Sequence, residues 1–552
     1  MTGTWRMVRS LARTQRMRLL AWPLAMLALT VLTAVSLDRL YPTPTERGTY
    51  AQAYDASQAM KAIGGNSGGL DQLGGMVANE LAIMVLPGLG VGGILLAIAG
   101  TRREEDAGRT GLVTSRPIGR LAPLAGALIT VTACAAAVTL VTLGVFTALG
   151  VPLVGAESGI TGPEHGGALV YAALLWAYMM VFVGLGMVMA ELAQQSRTAA
   201  FLSLSVFGVL YLVRAAVNAG GHGAGGTGGG VGWSWTSPLG WFDAVSPFAQ
   251  MRWAPLAALA GTSVVLIGTA FLLRSRRDLD SGVFTPRPGR ATARAGLGTA
   301  GGIAWHVGKA PLIGWMLGSA GFAALMGSQL PDWLEALKHA EGLVESLGMS
   351  ADSTAITSIT MQICALFAAA VGITIMGRWA DEERAGRLSH LLAQPLGRGR
   401  LAIAVGALMV LALVGLMALS ALVYAGTGAL ALRDTSAADG LGPDAISAAE
   451  TVTAAAVYAV PALLLCAVAA LWTAWRGAAP WPAWVLFGAS AVLVLLGPVL
   501  DLPDAVLDAA PFNAVGEVPA ESVAWGGVAA ELALAAAALL AAFLRFRRRD
   551  VG

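Results

Sequence analysis

Charge is scarce in this chain. Only 12% of its 552 residues are Asp, Glu, Lys or Arg, while 56% are hydrophobic. Soluble domains carry about 25% charged residues, so an ordinary water-facing surface is excluded. Lysine is scarcer still, at three of the 35 basic residues, which reads as a coding bias toward arginine. The three cysteines, Cys134, Cys364 and Cys466, all fall in apolar runs. That placement argues against a disulfide framework and for small packing residues. The five histidines are scattered, with no H-E-x-x-H and no cysteine pair nearby, so no metal site is expected. A phosphate-binding G-x-x-x-x-G-K-[ST] is also missing: Gly308-Lys309 is followed by Ala310 and has no glycine five residues before Gly308. The chain is therefore not expected to be an enzyme, and any nucleotide chemistry belongs to a partner.

What is present is apolar length. About twelve runs of roughly 18 to 30 residues are nearly free of charge, enough at about 1.5 Å per residue to cross about 30 Å of hydrocarbon. They lie near 19–37, 79–99, 121–150, 167–190, 198–218, 253–273, 311–328, 355–377, 401–431, 451–473, 481–500 and 523–544. Lipid offers the backbone no hydrogen-bond partner, so such runs must be helices, and the expected fold is all-α. Basic residues set the orientation. With the N terminus inside, the inner segments hold 28 of 35 Lys and Arg, and the outer side holds 22 of 33 acids. Both termini are then cytoplasmic. The net charge of +2 is the residue of that asymmetry and implies no nucleic-acid partner. Ahead of the first span, Arg6, Arg9, Arg13 and Arg16 share one helical face and Trp5, Val8 and Ala12 another, the pattern of a helix lying on the inner membrane surface. The alternative for the first 37 residues, a cleaved signal peptide ending in AVS, requires a shorter apolar run.

The chain repeats itself. EEDAGRTGLVTSRPIGR, Glu104 to Arg120, returns 278 residues later as EERAGRLSHLLAQPLGR, Glu382 to Arg398, with 8 of 17 residues identical. Each copy follows the second span of a group of six. AFLLRSRRD (Ala270 to Asp278) closes the sixth span and AFLRFRRRD (Ala542 to Asp550) the twelfth; LLAW before Trp22 and LIGW before Trp315 match more weakly. The expected organisation is an interfacial helix at 1–18, a six-helix half at 19–273, a basic linker at 274–310, a second half at 311–544 and a basic tail at 545–552. Six spans per half make the repeats parallel.

Each copy of the motif has an acidic start, a Gly-Arg pair, a short apolar stretch (Leu112 and Val113; Leu388, Leu391 and Leu392) and a stopping proline. This predicts a short amphipathic helix on the inner surface. Topology alone needs only positive charge, so the conserved glutamates and proline within the pair point to protein docking. The pattern resembles the intracellular loop of bacterial ABC-2-type permeases, particularly the twelve-span branch associated with export of polyketide antibiotics and other drugs. That resemblance implies a membrane-spanning subunit of an ATP-driven exporter in the bacterial cell membrane, moving hydrophobic or amphiphilic compounds. It implies two copies of a separate cytoplasmic ATPase that carry the ATP and Mg, this chain binding no cofactor. It also implies an ATPase-coupling role for Glu104, Glu105, Gly108, Arg109, Pro117 and Arg120, and for Glu382, Glu383, Gly386, Arg387, Pro395 and Arg398. The copies differ at Asp106 and Arg384, so the two docking surfaces need not be equivalent.

Other motifs carry less. GLGVGG, Gly88 to Gly93, has dinucleotide-fingerprint spacing but follows no strand, and Gly88 and Gly92 read as helix-packing positions. GNSGG, Gly65 to Gly69, lacks the strand-turn-helix of a nucleophile elbow. Gly220 to Trp233 reads as flexible coil, and the aromatic stretch after it as a short helix or re-entrant piece. Glu531 is the ionisable group clearly inside a span, a candidate for the substrate pathway with Trp176, Tyr178 and Phe182; Arg214 is its possible partner, or snorkels. Two rival functions follow from other features. An ion-driven transporter would need carboxylates within the membrane, and a lipid-linked transferase would need an acidic pair in 501–522. Neither accounts for the doubled motif.

Overall fold

The computed structural model describes residues 2–56, 60–61, 64–65, 68–115, 117–154, 167–219, 235–249, 251–278, 282–283, 292, 295–339, 353–433, 447–496 and 510–550. These residues are helical with connecting turns, and they form two compact units, Met1–Gly289 and Arg290–Gly552.

In the first unit, α1 (Thr4–Thr14) leads into α2 (Arg16–Leu40), followed by α3 (Pro44–Ala56), α4 (Leu73–Gly100), the short α5 (Arg102–Asp106) and α6 (Arg109–Thr114), then α7 (Ala122–Ala148), α8 (Gly167–Leu192), α9 (Ser196–Ala219), α10 (Pro238–Val245) and α11 (Trp253–Arg276). The second unit repeats the plan with α12 (Ala300–Ser328), α13 (Leu330–His339), α14 (Ser353–Arg384), α15 (Arg387–Leu392), α16 (Arg398–Ala431), α17 (Ala448–Arg476), α18 (Trp481–Leu496) and α19 (Trp525–Arg548). Eleven of these helices are long and apolar enough to span a membrane. The expected eleventh span, α18, is shorter at 16 residues. The rest of its expected range, 497–500, lies outside the described residues.

Helices apolar on all sides belong at the centre of a bundle. In each unit they are the second and fourth spans: α4 and α8, and α14 and α17. Small residues bring them together. A Cβ on Gly186 of α8 would stand 2.9 Å from the Ile94 carbonyl of α4, and one on Gly372 of α14 would stand 2.1 Å from the Cys466 sulfur of α17. Gly92 plays the packing role expected of it, with the Trp22 ring 2.6 Å from where its Cβ would be. Peripheral helices instead leave large apolar side chains uncovered, as Leu411, Val414 and Leu422 are on α16, a surface suited to lipid.

Two expectations change. The linker 274–310 is partly span: α11 runs to Arg276, and α12 starts at Ala300 and continues through Pro311. A proline usually marks a helix boundary, which is why 311 reads as a start; here the helix tolerates it internally. On α1 the buried stripe is Met7 and Leu11, with Gln15 just beyond, rather than Trp5, Val8 and Ala12. Trp5 is exposed, with the Arg9 guanidinium 5.7 Å over its ring.

Candidate functional site at the basic end of each half

The repeated segment is not one amphipathic helix. Its acids sit at the end of the second span: Glu104 and Glu105 on α5, directly after α4, and Glu382 and Glu383 in the last turn of the unbroken α14. A glycine with positive φ then turns the chain, Gly108 at 70° and Gly386 at 71°, and the short helix α6 or α15 begins at Arg109 or Arg387. Left-handed backbone is nearly free for glycine and costs other residues about 1–2 kcal/mol. A Cβ at either position would meet nothing within 4 Å, so Gly108→Ala or Gly386→Ala should each cost about 1 kcal/mol from backbone strain alone. Thermal melting in detergent should register each as a small, equal drop, and Gly→Asn a smaller one.

Across each turn the same ion pair closes the loop. The Arg109 Nε and Nη2 donate to the two Glu104 carboxylate oxygens at 2.6 and 2.8 Å, and Arg387 donates to Glu382 at 2.5 and 2.7 Å. These hydrogen bonds hold both guanidinium pKa values above the ordinary arginine value. Both arginine side chains remain half exposed. The closing arginines also agree: Arg120 donates to the Arg277 carbonyl at 2.5 Å and Arg398 to the Arg549 carbonyl at 2.9 Å. The motif is therefore fastened to the end of the sixth span in each half.

The second glutamate separates the halves. Glu105 is 6% exposed and receives Arg102 at 2.7 Å, Arg277 at 2.7 Å, and Arg274. Glu191 of α8 joins through Arg277 and, at 3.8 Å, Arg274. Three buried arginines thus share two buried glutamates. In the second half Glu383 pairs with Arg549, which also reaches the Thr473 carbonyl at 3.5 Å. The gapless repeat, extended back two residues, puts Ala380 where Arg102 stands, and the alignment of AFLLRSRRD with AFLRFRRRD puts Phe546 where Arg274 stands. Asp106 and Arg384 diverge for a visible reason. The Asp106 carboxylate accepts the backbone N–H of Ser196, 2.7 Å away, at the start of α9, where a helix N terminus favours negative charge; Arg384 instead pairs with Asp381 on its own helix.

Of the residues expected to couple to a partner, Glu105 is thus turned inward. Exposed among them are Gly108, Arg109, Pro117 and Arg120 in the first copy and Arg387 and Pro395 in the second, with Leu112 and His390, outside that set, exposed beside them. An open polar recess of about 420 Å³ lies beside the first copy, lined by Arg102, Glu105, Asp106, Gly108, Gln194 and Gln195. The buried arginines were not legible as site residues, although the shared arginine ending AFLLRSRRD and AFLRFRRRD was the available signal.

The remaining candidates disperse. Tyr178 and Phe182 are fully buried between helices, the tyrosine hydroxyl donating to the Leu86 carbonyl at 2.8 Å and Phe182 packing edge-on against Phe207; Trp176 is partly buried against the same core. Arg214 pairs with Asp243 of α10 at 2.8 and 2.9 Å, a partner other than either alternative considered for it, Glu531 or a snorkelling position. That helix is the short element expected in the aromatic stretch, capped by Ser237. Glu531 on α19 is buried, and its Oε2 makes no hydrogen bond among the described residues. Gly220 to Trp233, and Asn66 and Ser67 of the GNSGG stretch, lie outside the described residues.

The fold and the paired turns at 104–120 and 382–398 define a multi-pass, all-α membrane protein with an internal repeat. Residues 297–547 match the family model described as the C-terminal domain of the multidrug efflux system permease Rv1217c. The chain is 29% identical to the multidrug efflux system permease protein Rv1217c of Mycobacterium tuberculosis over 570 aligned residues, covering 100% of this chain and 95% of that one. The chain is similar to a multidrug efflux permease along its whole length.

Proposed function

We propose that this chain is the membrane-spanning subunit of an ATP-driven exporter that moves hydrophobic or amphiphilic, drug-like compounds out of the cell. The basic end of each half faces the cytoplasm, as do both termini, in a bacterial inner membrane. Two copies of a separate ATPase, carrying ATP and Mg, dock on the turns at 104–120 and 382–398. Their closure tilts the second and third spans of each half, which those turns join.

One observation carries this reading: two segments far apart in sequence keep the same Glu-Gly-Arg turn, the same bidentate ion pair and the same arginine strap to the sixth span. A loop serving topology alone has no need of that agreement. The likeness to a multidrug efflux permease supports the transport direction and cargo class.

The test uses side chains that face outward. Leu112 is 75% exposed, and His390, its equivalent by the gapless repeat, is also exposed. With an ATPase subunit co-expressed, Leu112→Asp combined with His390→Asp should abolish co-purification while leaving the melting temperature of the permease unchanged. A wild-type chain that retains no ATPase from any co-expressed candidate would overturn the reading and favour ion-driven transport.

A further inference from the structure

The two halves treat one glycine differently. Past the motif, and after two extra residues (Gly399 and Arg400) in the second copy, LAPLAGAL (Leu121 to Leu128) and LAIAVGAL (Leu401 to Leu408) share five of eight residues, aligning Gly126 of α7 with Gly406 of α16. In the first half α1 lies over that glycine: a Cβ there would stand 2.6 Å from the Met7 Cβ. Beside it only about 10 Å³ of free space remains, bounded by Met7, Glu105, Thr110 and Leu124. In the second half a Cβ on Gly406 would meet nothing within 4 Å, and Gly406 lines a cavity of about 440 Å³.

Helix geometry explains the difference. The chain breaks at Gln15 between α1 and α2, so α1 folds across α7. The corresponding stretch of the second half is the first three turns of the unbroken α12, which approach α16 further along: a Cβ on Gly308 would stand 2.6 Å from Leu408. The place α1 fills in the first half is thus filled by none of the described residues of the second.

The lining selects an occupant. Apart from Glu383 and Thr473 it is apolar, including Leu401, Val405, Leu539 and Phe543. The rim is cationic: the Arg547 guanidinium lies 5.6 Å over the Phe543 ring, and its Cδ is 3.8 Å from the Cβ position of Gly399. Arg400, exposed, directly precedes Leu401, the first lining residue of α16, and Arg545 and Arg548 are exposed on the same end of α19 as Arg547. A second arginine-faced helix like α1 would be repelled there. A volume of 440 Å³ falls within the roughly 300–1,000 Å³ of small-molecule sites. We propose that this cavity is a binding site for an anionic phospholipid, one acyl chain occupying the pocket and the headgroup lying against Arg547 and Arg400.

The experiment uses the full chain delipidated in mild detergent, with phosphatidylglycerol, phosphatidylcholine of the same acyl chains, or glycerol phosphate as probes. Binding is read by native mass spectrometry and by the thermal midpoint. Phosphatidylglycerol should bind and raise the midpoint, and the other two should do so at least tenfold more weakly. Gly406→Leu, which enters open space, should remove the effect, and Ile403→Trp at the mouth checks that result should the first variant fold poorly. Arg547→Gln should weaken phosphatidylglycerol about fivefold, the contribution of one basic residue at an anionic surface, without changing phosphatidylcholine. Equal binding of both lipids, or phosphatidylglycerol binding that survives the filled cavity, overturns the proposal; binding of glycerol phosphate as strong as that of the lipid reduces the site to an anion site and overturns it too. No nucleotide or ATPase enters the measurement, so its outcome is independent of the exporter reading.

Discussion

Glu105→Ala is expected to destabilise the first half by about 3–5 kcal/mol, the usual cost of removing one partner from a buried ion cluster. Arg102, Arg274 and Arg277 are 1%, 4% and 7% exposed, and with Glu105 gone the cluster loses one of the two buried carboxylates, Glu105 and Glu191, that its three arginines share. The comparison is Glu383→Ala, which deprives one partly exposed arginine of its carboxylate. That loss should be about 2 kcal/mol, near the value of a charge-assisted hydrogen bond. Thermal midpoint and the monodisperse fraction after extraction would both report the difference. The second half also suggests a rescue. Arg102→Ala and Arg274→Phe, which install the residues of the second half, together with Glu191→Thr, which removes the other buried carboxylate, leave Glu105 paired with Arg277 as Glu383 is paired with Arg549. This triple variant should be more stable than Glu105→Ala, because whole clusters can be replaced at little cost while broken ones cannot. Equal losses at Glu105 and Glu383 would show that the cluster does not act as a unit.

The same contrast shows what sequence can and cannot reveal here. The spans were legible because hydrocarbon imposes one length and one secondary structure, and predicted ends such as 167–190 and 253–273 fall within three residues of the helices Gly167–Leu192 and Trp253–Arg276. The errors came where distant residues satisfy a group that looks unfavourable in isolation. The second span was expected from 79, yet the helix begins at Leu73, and Glu80 inside it is satisfied by the Tyr50 hydroxyl, 30 residues earlier, which donates to that carboxylate at 2.6 Å. Pro311 delayed the expected start of the seventh. The doubled motif was legible as a pattern, since 8 of 17 identities need no structure. Its internal division of labour was not. Glu104 and Arg109 are five apart, a spacing no helix brings together, and they meet only because Gly108 turns the chain. Glu105 finds Arg274 and Arg277 169 and 172 residues away. Adjacent identical letters thus conceal one half-exposed staple and one buried hub.

At the opposite end of the first half, Arg214→Leu is expected to cost about 3–5 kcal/mol for the same reason. Arg214 and Asp243 are 2% and 6% exposed, and their bidentate bond joins the last turns of α9 to α10. Arg214 also donates to the Gly64 carbonyl at 2.9 Å, and Asn218 reaches Asp243 at 3.3 Å, so one guanidinium gathers three segments of chain. Lysine offers a single cationic centre in place of the planar fork, so Arg214→Lys should recover only part of the loss. Arg214→Leu combined with Asp243→Leu should be less damaging than either single change, since no unpaired charge is left in the bundle. The measurement is a double-mutant cycle on thermal midpoints, read alongside protection of Tyr211 and Trp241 fluorescence from a water-soluble quencher. A coupling near zero would mean that apolar packing by Leu239, Phe242 and Val245, all buried on α10, holds that helix in place, and that the ion pair merely fits a position already set.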